Sequence, residues 1–171
     1  MSRNFSPIKL GSLLILGIYF FMCLLRPAEG HFIDGVNLLI HEGGHVIFSP
    51  LGEFMHFLGG SLTQTLMPLI FAVYFFIRKD IFAGSIIVLW VGESLSNTSV
   101  YIKDAIVMQL PLIGGGIHDW NHLLGQMGLL ESSDTIGMVV YISGWVILIA
   151  GLIGGVIGCF LPAPERRGWD I

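Results

Sequence analysis

The stretch NLLIHEGGHVIF, Asn37 to Phe48, sets two imidazoles and a carboxylate among leucine, isoleucine, valine and phenylalanine. His41 and His45 are four residues apart, so on a helix they lie one above the other on a single face. Two ring nitrogens placed that way can reach one zinc ion at about 2.0–2.1 Å each. Glu42 is turned aside from the pair, where it can take a proton from a metal-activated water instead of binding the metal. H-E-x-x-H is short enough to arise by chance in a soluble protein. At membrane depth chance is costly, because one central aspartate alone is unfavourable by roughly 2.5–3.5 kcal/mol. Burial of these three groups without partners is therefore disfavoured, and the segment predicts a metal site.

Catalytic zinc typically takes three protein ligands and keeps a position for water. The remaining donors in the chain are His31, His56, Glu93, Asp104, His118, Asp119 and His122. A metzincin pattern is excluded, since Phe48 and Leu51 stand where its glycine and histidine belong. His31 reads as a wet interfacial residue, and His56, beyond Ser49-Pro50, as a cap or interface residue. The segment GIHDWNHLLG is richer. His118 and His122 have i, i+4 spacing, and Asp119 stands where a carboxylate can bind zinc or orient a ligand imidazole. The bland alternative is a solvated interfacial helix with Trp120 at headgroup level. On chemistry alone His118 and Asp119 are equal candidates. A polar stripe, Glu93, Asn97, Tyr101 and Asp104, recurs at helical spacing and predicts one face turned to a bundle interior or wet cavity. Within it Glu93 is a further candidate ligand, and Asn97 can hold a substrate carbonyl or oxyanion. Helix-to-helix hydrogen bonding explains the stripe equally well, and Thr63 and Gln64 read as packing glue.

The elements that must position these groups are apolar. The chain has 171 residues, is 54% hydrophobic and 12% charged, with a mean hydropathy of +0.80. Soluble domains carry about 25% charged residues. One integral membrane domain covering 1–171 is expected, an all-α polytopic helix bundle in the plasma or inner membrane. The net charge of -4 has no basic stripe, which excludes nucleic acid as a partner. A bilayer core needs roughly 20 apolar residues per helix. About five spans follow: Leu10–Leu25, Phe32–Phe48, Phe57–Ile77, Ile81–Ile102 and Ile136–Leu161. A re-entrant or interfacial segment is expected around 111–130, where Pro111 and Gly114-Gly115-Gly116 break the hydropathy. Arg26-Pro27 follows the first stretch in place of a small-residue cleavage site, so it reads as a retained span, not a signal peptide. Cys23 and Cys159 lack C-x-x-C spacing and read as packing residues. Gly151, Gly154, Gly155 and Gly158 have the GxxxG spacing that lets helix backbones approach. With five crossings Arg3, Lys9 and Lys103 share one side and Arg26, Arg78, Lys79, Arg166 and Arg167 the other, which leans the second side toward the cytoplasm.

A membrane-embedded H-E-x-x-H, His41 to His45, in a small multi-span chain resembles the site-2 protease class of intramembrane zinc metalloproteases. The resemblance is specific around those five residues and diffuse elsewhere. It implies a zinc held by two histidines and a later aspartate, a glutamate base, and hydrolysis of a membrane-spanning or juxtamembrane polypeptide. Asp119 stands in the place where that aspartate would follow. The class's Asn-Pro-Asp-Gly or Leu-Asp-Gly stretch is missing. The only similar triplet, Ile33-Asp34-Gly35, lies upstream, and Asp34 is about 10 Å along a helix from His41. Two other readings keep part of the chemistry: a zinc-dependent lipid amide or ester hydrolase, and a non-catalytic metal-binding or transport protein. An intact Glu42 argues against the last, because a pure binding site needs no base.

Overall fold

The computed structural model describes residues 5–111 and 116–162. Arg3, Gly114, Gly115, Arg166 and Arg167 lie outside the described residues. Six α-helices are present among those described: α1 Pro7–Leu25, α2 Phe32–Phe48, α3 Glu53–Ile77, α4 Ile81–Lys103, α5 Asp119–Gln126 and α6 Ser133–Cys159. Their starts follow local chemistry. Ser6 caps α1 by accepting from the Lys9 N–H, with Pro7 in the first turn. Between α3 and α4 the chain reverses through Lys79 in left-handed backbone (φ 60°), and the Asp80 carboxylate caps α4 by accepting from the Ala83 N–H at 3.0 Å.

Four helices, α1, α3, α4 and α6 with the turn before it, are long and apolar enough to cross a membrane. Their outward faces carry exposed Ile8, Ile15, Ile70, Val139, Val146 and Ile153, which suits a hydrocarbon surround. α2 has the expected bounds but is not among the four. It has 17 residues and holds Asp34, Asn37, His41, Glu42 and His45.

Helix polarity shows what α2 does instead. α6 runs antiparallel to both α4 and α1: Gly158 packs on Phe82 and Gly137 on Lys103, while the Ser6 N–H donates to the Cys159 carbonyl and the Tyr141 hydroxyl to that of Leu24. α3 is antiparallel to α4, with Phe76 against Gly84 and Gln64 near Ser94. One end of the bundle thus gathers the C-termini of α1 and α4 and the N-termini of α3 and α6. α2 links two of these same-end termini. It dips to mid-depth, where Asn37 meets Trp90 and Glu93, and returns. The even number of long helices regroups the charges. Lys9, Arg78 and Lys79 share one end, and Arg26 and Lys103 the other, so Lys9 and Lys103 lie at opposite ends of the bundle.

The apolar core lies between α1, α4 and α6, around Leu13, Phe20, Leu24, Leu89 and Leu148. Small residues bring α4 and α6 together. A Cβ on Gly144 would lie 2.7 Å from the Gly92 carbonyl oxygen, and one on Gly151 2.8 Å from Leu89. Gly155 and Gly158 face Leu13 and Phe82 in the same way, so the GxxxG spacing serves packing within the chain.

Candidate metal centre

α2 packs its histidine face on α3 at backbone distance. A Cβ on Gly60 would sit 2.5 Å from His41 Nε2, and one on Gly44 would collide with the Gly59 carbonyl oxygen. Gly43, the other glycine of the H-E-G-G-H run, has open space around it. Only one of the two glycines is therefore required by packing.

α5 brings the third donor. His118 caps it, Nδ1 accepting from the Asn121 N–H at 3.2 Å. The next three residues are each tied to a longer helix or its end. The Asp119 N–H donates to the Tyr101 hydroxyl at 3.1 Å, the Trp120 indole to Ser61 at 3.0 Å, and the Asn121 amide to the Ala105 carbonyl at 2.8 Å. So held, Asp119 Oδ2 lies 3.0 Å from His41 Nε2 and 3.3 Å from His45 Nε2. The donor atoms of His41, His45 and Asp119 all fall within 4.8 Å of one another.

The hydrogen bonds behind the rings fix their tautomers. His41 Nδ1 lies 3.2 Å from Gln64 Oε1 and His45 Nδ1 2.7 Å from the His56 carbonyl oxygen. Such oxygens only accept, so each Nδ1 carries the proton and each Nε2 keeps its lone pair. The orientation of Gln64 is set in turn: its Nε2 donates to Asn97 Oδ1 at 2.9 Å, and Asn97 Nδ2 donates to Asp34 Oδ1 at 3.0 Å. Two imidazole lone pairs and a carboxylate then face each other, an arrangement that needs a cation among them: a divalent ion, or in its absence a proton on one ring. Tetrahedral bonds of 2.0–2.1 Å put donor atoms about 3.3 Å apart, close to the spacings to Asp119. The group could hold a metal ion, and the oxygens that accept from both Nδ1 atoms orient the rings as a histidine-ligated ion requires. Burial works against charge on Asp119, yet when a proton sits on one ring in place of an ion, hydrogen bonding and charge from His41 and His45 outweigh it and hold its carboxyl down at about 2.

Glu42 lines the same cavity as these donors, a space of about 330 Å³ that Tyr101 and Asn97 also border. The Tyr101 hydroxyl accepts from the Asp119 N–H and keeps its own proton to donate.

The other sequence candidates are placed elsewhere. His118 stands outside the donor group. With Nδ1 engaged as the cap, its buried Nε2 lies 3.3 Å from Asp104 Oδ2, poorly aligned for a hydrogen bond. Burial lowers the His118 imidazole, against the pull of Asp104. Asp104 itself accepts from the Gln109 and Leu110 N–H groups and folds the chain back after α4. Glu93 is buried and accepts from Asn37 Nδ2 at 2.8 Å, away from the histidines. The stripe divides because four-residue steps advance about 40° each around a helix, turning Glu93 well away from Tyr101. His31 and Asp34 form a capping box on α2, and His122 faces Glu53 at 3.5 Å. Asp34 lines the same cavity and is tied to His41 through Asn97 and Gln64. Gln64 and His56 are the hydrogen-bond partners of the two imidazoles, and the sequence alone assigned them to packing or the interface. A lone glutamine within the 25 residues of α3 was a signal for the first. The second contributes a backbone carbonyl, which no residue type announces.

No family model matches this chain, and no curated protein or solved structure matches it.

Proposed function

We propose that the protein is an intramembrane zinc-dependent hydrolase, a peptidase acting on a membrane-spanning or juxtamembrane polypeptide. The observation that supports this most is the convergence of His41 Nε2, His45 Nε2 and Asp119 Oδ2 beside Glu42 in one cavity. In this reading the four long helices cross the bilayer, and α2 and α5 carry the chemistry between them. His41, His45 and Asp119 hold the ion. Bound there, zinc polarises a substrate carbonyl and acidifies water.

The chain's own groups do the rest. Glu42 accepts the proton of the attacking water and delivers it to the leaving amine. Tyr101, with a free O–H at the cavity wall, can donate to the oxygen on which charge develops. Gln64 and the His56 carbonyl keep both imidazoles in the metal-binding tautomer. A purely metal-holding protein would use the same three donors without a carboxylate at Glu42.

The experiment is elemental analysis of detergent-purified protein beside a His41→Ala, His45→Ala double variant and Glu42→Gln. The expected result is one zinc per chain, lost in the double variant and kept in Glu42→Gln, with cleavage of a membrane peptide reduced about 10²–10⁴-fold in the latter. Equal zinc in wild type and double variant overturns the metal site. Undiminished cleavage by Glu42→Gln overturns the hydrolytic mechanism.

A further inference from the structure

The cavity belongs to one end of the bundle. Its walls include Ala28 and Gly30 from the α1–α2 loop and Leu110, Pro111 and Ile117 from the α4–α5 connection. Both connections leave helices whose C-termini lie at the end shared with the N-termini of α3 and α6. Asp119 sits at that end also, on the helix that bridges α4 to α6.

Most of the described basic residues lie at the other end. Lys9 at the start of α1 donates to the Gly158 and Leu161 carbonyls at 3.0 Å, and Arg78 and Lys79 form the α3–α4 turn. In the sequence Arg3 precedes α1 closely, and Arg166 and Arg167 follow α6. Among the described residues Lys9, Arg78 and Lys79 flank helix ends on that far side, and Arg26 and Lys103 flank helix ends on the cavity side. Lys and Arg in short connections near span ends concentrate on the cytoplasmic face, while Asp and Glu have little influence.

From these two asymmetries we infer that the metal centre opens to the non-cytoplasmic side of the membrane and takes its scissile carbonyl from the membrane-proximal part of a polypeptide on that side. This rests on the hydrolase reading for the word scissile; the direction of opening rests only on helix polarity and charge. An ion at the centre is then exchanged with the non-cytoplasmic compartment, and the fragment beyond the cut is released there. Cytoplasmic segments of a substrate lie on the far side of the bundle from the cavity mouth.

The test is labelling of single cysteines in intact cells with a membrane-impermeant maleimide. Native Cys23 and Cys159 are 2% and 1% exposed, so the wild-type chain is the unlabelled control. Glu29→Cys, Gln109→Cys and Ile117→Cys report the cavity end; Phe5→Cys and Phe160→Cys report the opposite end. All five positions are exposed. The first three are expected to label in intact cells, and the last two only after permeabilisation. Reversed labelling overturns the direction, and labelling of both ends from one side overturns the four-crossing arrangement beneath it. Zinc content measured on the same preparations keeps the two readings apart. Zinc retained with reversed labelling refutes the direction alone, whereas expected labelling with zinc unaffected by His41→Ala, His45→Ala refutes the metal centre alone.

Discussion

The α4–α6 seam and the α2–α5 centre solve opposite problems within one bundle. At the seam the backbones of two long helices touch through Gly92, Gly144 and Gly151, with the small side chain of Ser85 against Gly154. Without a hydrophobic driving force between helices in lipid, such close packing holds them together. At the centre α2 also approaches α3 closely, through Gly44 and Gly59, but the donor atoms are placed by directional bonds: Trp120 to Ser61, Asn121 to Ala105, His41 to Gln64. Packing supplies rigidity without chemistry. Hydrogen bonds place a donor atom to within tenths of an ångström, but each depends on one partner. Loss at the seam should therefore be read as stability, and loss at the centre as metal affinity.

The largest expected effect separates the two residues that chemistry alone left equal. Asp119→Ala should lose zinc under conditions where His118→Ala retains it with affinity weakened roughly 10–100-fold, as befits a residue acting through its neighbour. Zinc titration of both variants checks this, and the reverse order would move His118 into the donor set. Next comes Gln64→Ala, which removes the partner of His41 Nδ1 and should also cost roughly 10–100-fold in zinc affinity while leaving thermal unfolding in detergent close to wild type. A large loss of stability with unchanged affinity would make Gln64 a packing residue after all.

The smallest effects test the seam against the motif. Gly144→Ala pushes a methyl toward the Gly92 carbonyl oxygen at 2.7 Å and should cost about 1–3 kcal/mol by overpacking, read as a lower Tm with full zinc content. Gly43→Ala, beside two metal-binding histidines but in open space, should stay within about 0.5 kcal/mol. If the two substitutions behave alike, the division between a packed frame and a bonded centre fails.

The sequence by itself determined the helices and the first half of the site. Apolar runs, the Arg78-Lys79-Asp80 stop and Ser49-Pro50 set boundaries that the structure places within a few residues, because capping and periodicity act over about one turn. His41, Glu42 and His45 were legible for the same reason, since i, i+4 geometry is local. Tertiary structure alone decided the rest. Asp119 meets His41 across 78 residues of chain, and Gln64, Asn97 and Asp34 join the centre from three different helix turns, so their roles depend on how helices are rotated against one another. Hydropathy does not encode that rotation. Nor does it encode helix polarity: α2 reads as a crossing by its apolar content, and only the antiparallel packing of α6 on α1 and α4, with that of α3 on α4, puts both its ends at the same end of the bundle.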